Sequence, residues 1–508
     1  MEFLRSAGVL LHPTSLPGKF GIGELGSEIY NFINFLRDSG QTLWQVFPLG
    51  PTGYGDSPYQ CFSAFAGNPL LISLEKLKEE DLLNDEDLES LPSFNPLNID
   101  FGIIIPAKTK LLRKAFNNYK ANGSESAEQI KSFNDSNSDW LNDFALFMAC
   151  KNYHNGVQWT AWEKEIAFRE KGAVEKWSGK LSDEIEYQKF VQYKFYKQWK
   201  DVKNFANENG IKIIGDLPIF ISYDSADLWA NKNLFSVNQT SGKLETVAGV
   251  PPDYFSETGQ LWGNPLYKWD VMEADNFSWW KKRIIQMYEL VDIVRIDHFR
   301  GFEAYYEIPG DAITAQTGKW VKAPGVKLFK EIKNALGDVP IVAEDLGVIT
   351  KEVEELRDMF NFPGMKILQF AFGEEGDKGF LPHNHKKNCV VYSGSHDNDT
   401  TRGFFENEKN NGTGIYEWAQ KYLNYYNDDI CGAVVNAAYA SVADTVIIPM
   451  QDLLKLGTEA RMNFPGRLGG NWTWRFTWEQ IPNELPIKLK EITNIYERDH
   501  KTKIKTLE

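Results

Sequence analysis

Short apolar runs recur along the chain, and each one ends abruptly in polar, glycine or proline residues. The stretches between several runs carry apolar residues at helical spacing, as Ile29, Phe32, Ile33 and Leu36 do between the first two. Near-continuous apolar strands separated by helices are typical of an α/β parallel sheet covered on both faces. Eight such runs favour a closed (β/α)8 TIM barrel over an open doubly wound sheet. The predicted strands are residues 8–11, 42–47, 211–214, 292–296, 339–343, 365–370, 389–392 and 444–448.

Two gaps between predicted strands are too long for a bare βα unit. About 160 residues separate the second strand from the third, against about 31 per unit in a minimal barrel of ~250 residues. Apolar residues in this gap recur at helical spacing, so we predict a mainly helical insertion over residues 65–205. Residues 221–290 are dense in Asn, Gly, Pro and aromatic residues, which predicts a loop-rich insertion between the third and fourth strands.

The remaining residues are assigned to the barrel, so we interpret 1–508 as a single catalytic domain that carries both insertions. The last predicted strand ends near residue 450. The roughly 60 residues after it are too few for a C-terminal β-sandwich domain of ~100 residues.

Net charge and composition limit the possible partners. The chain carries 55 Lys and Arg against 70 Asp and Glu, a formal net charge of −15. A nucleic acid or an anionic membrane would repel such a protein, so neither is expected as a partner. No apolar run approaches the ~18 residues of a bilayer span, no secretory signal is visible, and the cysteines are scattered as in a reducing compartment. We expect a cytoplasmic protein, and a monomer or weak homodimer.

One glycine motif is misleading. Residues 21–26 read GIGELG and satisfy the dinucleotide-binding pattern G-x-G-x-x-G. However, residues 12–20, which include two prolines, separate the motif from the preceding strand, and the next strand runs into FPLG at 47–50, which offers no carboxylate for a ribose. We interpret the motif as a tight turn and expect no cofactor.

Carboxylates follow three of the predicted strands, at the end where a barrel carries its chemistry. Asp297 ends the fourth strand, Glu344 follows the fifth, and Asp397 follows the seventh. Arg295 lies two residues before Asp297 and shares its face of the strand, so its guanidinium should keep Asp297 ionised. Several carboxylates on one rim would push their pKa values apart, leaving one ionised attacker and one protonated acid. This division of roles is that of retaining glycoside cleavage.

Two other interpretations of these carboxylates stay open. An Asp at a strand end often caps a helix or pairs with a surface cation. A metal site is the second alternative, because the side chains near the three strand ends are competent metal ligands. Those ligands would be Asp297, His298, Glu344, His396 and Asp397.

Ten short motifs, spread over nearly the whole chain, match the sequence pattern of a known family. They are HPTSLP at 12–17, GIGELG at 21–26, GYGDSPY at 53–59, GDLPIF at 215–220, GVPPDYF at 249–255, QLWGNP at 260–265, RIDHFRG at 295–301, AEDLG at 343–347, SHDNDT at 395–400 and GTEARMNFPG at 457–466. In these motifs the sequence resembles the amylomaltases, the 4-α-glucanotransferases of glycoside hydrolase family 77.

The resemblance implies a barrel related to the α-amylases and a role for each carboxylate. Asp297 would be the nucleophile that forms a covalent glucosyl-enzyme, and Glu344 the general acid and then the base. Asp397 would hold sugar hydroxyls and stabilise the oxocarbenium-like transition state. For a retaining reaction we expect the carboxyl groups of Asp297 and Glu344 to lie ~5 to 5.5 Å apart.

The resemblance also implies a set of substrate-binding residues. They are Tyr59, Asp216, Tyr254, Phe255, Gln260, Trp262, Arg295, His298, His396 and Asn463. The substrates would be maltooligosaccharides and other α-1,4-glucans such as starch or glycogen, with no cofactor and no metal. Two alternatives remain: an α-glucan hydrolase of the α-amylase type, and a glucan-binding protein without catalytic activity.

Overall fold

The computed structural model of the chain describes residues 4–122, 127–252, 256–425, 429–467 and 469–499. Tyr254 and Phe255, two of the predicted binding residues, lie outside the described residues. The strands of the described part are β1 (Ser6–Leu10), β2 (Leu43–Gln45), β3 (Lys212–Pro218), β4 (Thr246–Val250), β5 (Gln260–Pro265), β6 (Ile293–Asp297), β7 (Ala304–Pro309), β8 (Lys319–Lys322), β9 (Ile341–Ala343), β10 (Gly364–Ile367), β11 (Cys389–Tyr392) and β12 (Thr445–Pro449).

Within the described residues, eight parallel strands form the predicted TIM barrel. Their order is β10-β11-β12-β1-β2-β3-β6-β9. The two terminal strands of this order are bridged where Ala343 N donates to Pro363 O at 2.9 Å, which nearly closes the ring. Each barrel strand overlaps one of the predicted apolar runs, and the prediction of a (β/α)8 barrel is confirmed.

The third barrel strand is longer than its apolar run predicted. The run ends at Ile214, but β3 continues to Pro218, paired with β6 so that Asp216 lies opposite Arg295. The ion pair between these two side chains lets polar residues occupy a buried strand position, because a buried charge is tolerated when it is paired. Hydrophobicity alone could not reveal this extension.

The described residues also form many helices. They are α1 (Ser27–Asp38), α2 (Leu74–Glu79), α3 (Asp85–Glu89), α4 (Phe101–Asn122), α5 (Ala127–Ser136), α6 (Ser138–Tyr153), α7 (Lys164–Ala167), α8 (Ala173–Lys180), α9 (Ser182–Glu208), α10 (Ala226–Ala230), α11 (Trp269–Ala274), α12 (Ser278–Leu290), α13 (Gly325–Leu336), α14 (Lys351–Met359), α15 (Thr401–Asn410), α16 (Ile415–Leu423), α17 (Ile430–Ala440), α18 (Met450–Leu453) and α19 (Leu485–Ile495). None of them is both long and apolar enough to cross a bilayer.

Helices α2 to α9 occupy the long gap between β2 and β3 and pack into the same hydrophobic core as the barrel. The 27-residue helix α9 makes the link. Its Trp199 is buried, lies 6.0 Å from the ring of Trp44 in β2, and donates from Nε1 to Leu290 O at 2.7 Å. The helical segment is therefore fixed to the barrel wall through buried aromatic side chains.

Residues 221–290, expected to be rich in loops, contain α10, β4, β5, α11 and α12 as well as loops. Strands β4 and β5 join β7 and β8 in an antiparallel sheet of order β5-β4-β7-β8. Strand β4 pairs with the nearby β5 and also with β7, about 60 residues later in the chain. Local composition could not predict the pairing with β7, because that strand is distant in sequence.

A steric test of the barrel uses Gly8 in β1. A Cβ at this position would lie 2.3 Å from Leu43 O and 2.5 Å from Leu43 Cβ on β2. We expect Gly8→Ala to lower the free energy of unfolding by about 1–3 kcal/mol, because the two strands must move apart. Urea denaturation of the purified protein measures this.

Gly179 in α8 is the matched control. An added Cβ there meets no atom within 4 Å, and alanine favours a helix over glycine by up to about 1 kcal/mol. Gly179→Ala should leave the stability unchanged or raise it. Equal stabilities for the two variants would contradict the tight approach of β1 and β2.

Candidate active site

The predicted carboxylates meet at the carboxyl ends of the barrel strands. Asp216 lies within β3, Asp297 ends β6, Glu344 follows β9, and Asp397 lies in the loop after β11. Strands β3, β6 and β9 are neighbours in the barrel, so three of these residues come from adjacent positions on the rim. The fold thus brings together residues that are far apart in sequence.

Arg295 bridges two of the carboxylates. Its side chain is 5% exposed, and its Nη1 lies 2.5 Å from Asp216 Oδ2. Its Nη2 lies 3.1 Å from Asp297 Oδ1. One buried guanidinium therefore orients both the Asp216 and the Asp297 side chain.

Glu344 is held against the end of β6 by backbone hydrogen bonds. Its own N donates to Ile296 O at 3.0 Å, and its carboxyl oxygens accept from His298 N at 2.7 Å and from Leu346 N at 2.9 Å. His298 adopts a left-handed conformation with φ 51°. This conformation costs energy in a residue other than glycine and clusters at functional sites. In this conformation the His298 N–H donates to the Glu344 carboxyl.

Burial raises the pKa of Glu344 to about 7, although Arg295 and the two backbone donors oppose the shift. Burial also raises the pKa of Asp297 well above its ordinary value; Arg295 opposes this, and the carboxylates of Asp216 and Glu344 add to it. We expected Arg295 to keep Asp297 ionised. The expected ion pair forms and favours the ionised form of Asp297, but because Arg295 is shared with Asp216 it only partly offsets the effect of burial on the Asp297 pKa. Asp297 and Glu344, whose pKa values are both raised, therefore hold a proton between them near neutral pH.

Tyr59 and His396 form a wall beside Asp216. The Tyr59 hydroxyl donates to Asp216 Oδ2 at 2.6 Å, and its ring stacks on His396 with 4.9 Å between centroids. Burial lowers the pKa of His396, so its imidazole is neutral at physiological pH. Both residues were predicted from the sequence, and both lie in contact with the carboxylate cluster.

Asp397 is positioned by residues that follow β12. Asn463 Nδ2 donates to Asp397 Oδ1 at 2.6 Å, and Arg461 Nη2 donates to the Asp397 backbone carbonyl at 2.7 Å. His396 Nε2 lies 3.4 Å from Asp397 Oδ2. The Asp397 side chain is 51% exposed, so it is accessible to a ligand above the barrel.

Trp262 and Gln260 reach the site from β5, on the antiparallel sheet. The Trp262 ring lies edge-on to His298 with 4.8 Å between centroids, and its Nε1 donates to Gln260 Oε1 at 3.1 Å. Burial lowers the pKa of His298 to about 3, so this imidazole is also neutral. The second insertion therefore supplies an aromatic edge to the rim.

Sequence reasoning missed Trp472 and gave no role to Arg461. The Trp472 ring lies 5.7 Å from that of Tyr59 and 5.8 Å from that of His396, and its backbone has a left-handed φ of 64°. Arg461 stood inside a recognised motif, so that motif could have drawn attention to it. Trp472 lies beyond the last recognised motif, and nothing in its local sequence connects it to residue 59.

Among the described residues, no group of three or more His, Cys, Asp or Glu side chains is arranged to hold a metal ion.

Comparison with known proteins now identifies the family. The family model for glycoside hydrolase family 77, described as 4-alpha-glucanotransferase, matches residues 11–480. The chain belongs to this family. The resemblance seen in the ten motifs is thereby confirmed.

Two relatives within the family, both named 4-alpha-glucanotransferase, match this chain over nearly its full length. The protein from Synechocystis sp. is 48% identical, with 97% of this chain and 98% of the relative covered. That from Thermus thermophilus is 47% identical, with 98% and 100% covered. The solved structure of amylomaltase from Streptococcus agalactiae in complex with acarbose superposes with a TM-score of 0.93 at 42% identity, covering 97% of this chain and 99% of that one.

The raised pKa of Glu344 predicts a pH-dependent effect on stability. The folded-state pKa of about 7 exceeds the ordinary 4.5, so the cost of burying the ionised group appears as pH rises through this interval. Glu344→Gln removes this cost. We expect the free energy of unfolding of the variant, relative to that of the wild type, to rise by about 1–3 kcal/mol when the pH is raised from about 5 to about 8. Denaturant unfolding of both proteins at the two pH values measures it, and a difference that does not change with pH would contradict the raised pKa.

Proposed function

We propose that this protein is a 4-α-glucanotransferase that acts with retention, through a covalent glucosyl-enzyme. The observation that carries the proposal is the arrangement at the end of β6: the Asp297 carboxylate paired with Arg295, and the Glu344 carboxyl bound to the backbone N–H of His298. The family to which the chain belongs supports the same reaction.

In the first step Asp297 attacks the anomeric carbon of an α-1,4-linked glucosyl residue. The bond from that carbon to the glycosidic oxygen breaks, and Glu344 transfers its proton to the departing oxygen. The donor loses its reducing-end part as a free sugar. A glucosyl ester of Asp297 remains, with inverted configuration at the anomeric carbon.

In the second step the 4-hydroxyl of an acceptor glucan attacks the same carbon. Ionised Glu344 removes the hydroxyl proton, a new α-1,4 bond forms, and Asp297 is released as a carboxylate. Two inversions give net retention. No cofactor or metal takes part in either step.

The proton shared by the two carboxyls must start on Glu344. Asp297 is in direct contact with the Arg295 guanidinium, which favours the ionised form of Asp297 within the pair. The pKa of about 7 leaves Glu344 largely protonated below neutral pH and able to act as acid and base in turn.

Asp397 and its neighbours would bind the sugar at the reacting centre. The Asp397 carboxylate can accept hydroxyl hydrogen bonds and stabilise the positive charge of the oxocarbenium-like transition state. Neutral His298 and His396, together with Asn463, would bind sugar hydroxyls. Asp216, whose side chain is buried, would support the subsite through Arg295 and Tyr59. Tyr59, Tyr254, Phe255 and Trp262 would supply apolar faces or edges for sugar rings, with Gln260 beside Trp262.

We infer that the substrates are maltooligosaccharides and longer α-1,4-glucans of the starch and glycogen type, handled in the cytoplasm. We also propose that the helical segment 65–205 and the segment 221–290 belong to one catalytic unit with the barrel. Their buried residues in the shared hydrophobic core and the contact of Trp262 with His298 support this.

A product ladder tests the proposed function. Purified protein is incubated with maltotriose alone and sampled over time by chromatography, beside Asp297→Asn. We expect glucose together with oligosaccharides longer than maltotriose, because the enzyme-bound glucosyl segment meets another sugar hydroxyl. The variant should form neither, because an amide is a poor nucleophile.

Other product patterns would overturn the proposal. Glucose and maltose without longer chains would indicate a hydrolase. Unchanged maltotriose under all conditions would favour a glucan-binding protein without catalysis.

The Glu344 pKa also predicts the pH dependence of catalysis. kcat/KM for a maltooligosaccharide donor should fall as pH rises through about 7, because the free enzyme loses the proton that the leaving group needs. An α-glycosyl fluoride donor should lack this alkaline decline, since fluoride leaves without protonation. The same alkaline decline with both donors would contradict the assignment of Glu344 as the acid.

A further inference from the structure

Asp452 is a buried carboxylate outside the site described above. It lies in α18, directly after β12, and is 2% exposed. Within the described residues, no cation lies within ion-pair distance of it. A buried carboxylate without a cation is costly unless hydrogen bonds compensate for the lost hydration.

Among the described residues, the donors that bind the Asp452 carboxylate lie at the two ends of one loop. Ser393 Oγ donates to Asp452 Oδ2 at 2.5 Å. Thr401 donates twice, from N to Oδ1 and from Oγ1 to Oδ2, each at 2.7 Å. Residues 393–401, called the 393–401 loop below, run from the end of β11 to the first residue of α15, and Ser393 and Thr401 at its two ends are fully buried.

The loop between these two anchors carries His396 and Asp397. The segment that begins with Asp452 also binds the middle of the loop. Thr458 Oγ1 donates to Asp399 Oδ2 at 2.8 Å, and Arg461 and Asn463 bind Asp397 as described above. The ends of the loop are therefore fixed by a charged acceptor, and its middle by neighbouring donors.

The Asp452 carboxylate accepts three hydrogen bonds from buried donors at the two ends of the loop. Hydrogen bonds to an ionised carboxylate are roughly twice as strong as those between neutral groups. Burial raises the pKa of Asp452, and the donors Ser393 and Thr401 oppose that rise. Loss of the carboxylate would leave three buried donors without their acceptor.

We propose that Asp452 is a positioning residue for Asp397. Its carboxylate holds both ends of the 393–401 loop and so sets where the Asp397 carboxylate faces the reacting sugar, an inference that rests on the proposed function. A misplacement of about 1 Å in such a group can cost about 100-fold in rate.

The test compares Asp452→Ala, Asp452→Asn and the wild type in maltotriose transfer. We expect Asp452→Ala to lower kcat about 10- to 100-fold with KM changed less than about 3-fold, because loop placement and not sugar affinity is affected. Asp452→Asn should stay within about 5-fold of the wild type, since an amide can still accept from Thr401 N and can donate to either hydroxyl.

Asp292→Ala is the matched control for a general loss of stability. Asp292 precedes β6 at the opposite end of the barrel and accepts hydrogen bonds from Ile213 N at 2.8 Å and Asn207 Nδ2 at 2.9 Å. Rates are measured below the unfolding temperature of every variant. Asp292→Ala should keep the wild-type kcat. An equal loss of kcat in both alanine variants, or full activity of Asp452→Ala, would overturn the proposal.

A double variant separates positioning of Asp397 from other effects. Asp452→Ala is introduced into the Asp397→Asn variant, and the rate of transfer from an α-glycosyl fluoride donor is measured. If Asp452 acts through Asp397, the added loss should be less than about 3-fold. If Asp452→Ala lowers the rate as much in the Asp397→Asn background as in the wild-type background, the inference is overturned. Absence of transfer by the wild type would instead contradict the proposed function itself, so the two failures are distinguishable.

Discussion

A single buried guanidinium organises the rim of the barrel. Arg295 pairs with Asp216 from the neighbouring strand and with Asp297 from its own, so it holds a polar stretch of β3 and the end of β6 in a fixed relation. Without this cation, the buried carboxylate of Asp216 and the partly buried carboxylate of Asp297 would have no compensating charge. The extension of β3 beyond its apolar run and the placement of Tyr59 on Asp216 both follow from it.

The cluster around Arg295 has more carboxylates than cations, and two of these carboxylates have raised pKa values. Burial raises the pKa of Asp297 well above its ordinary value and raises the pKa of Glu344 to about 7. Asp297 keeps the contact with the guanidinium. Two carboxyls with different partners can then take opposite roles in one reaction, one as nucleophile and one as acid.

The remaining parts of the site are positioned by segments far from the central strands. The 393–401 loop depends on Asp452, Thr458, Arg461 and Asn463, all from the chain after β12. Trp262 arrives on a strand of the antiparallel sheet. The barrel thus supplies the central charges, while later segments and the second insertion supply the residues around them.

The eight barrel strands, the helix α1 and the family were all predictable from sequence, because apolar periodicity and short motifs are local signals. Asp297, Glu344 and Asp397 were recognisable as candidates for the same reason. The antiparallel pairing of β4 with β7, the raised pKa of Asp297 and the place of Trp472 beside Tyr59 were not. Each depends on groups that are distant in the chain and meet only in the folded protein. Burial and the sharing of one cation between two carboxylates are properties of that assembly, so only the tertiary structure decided them.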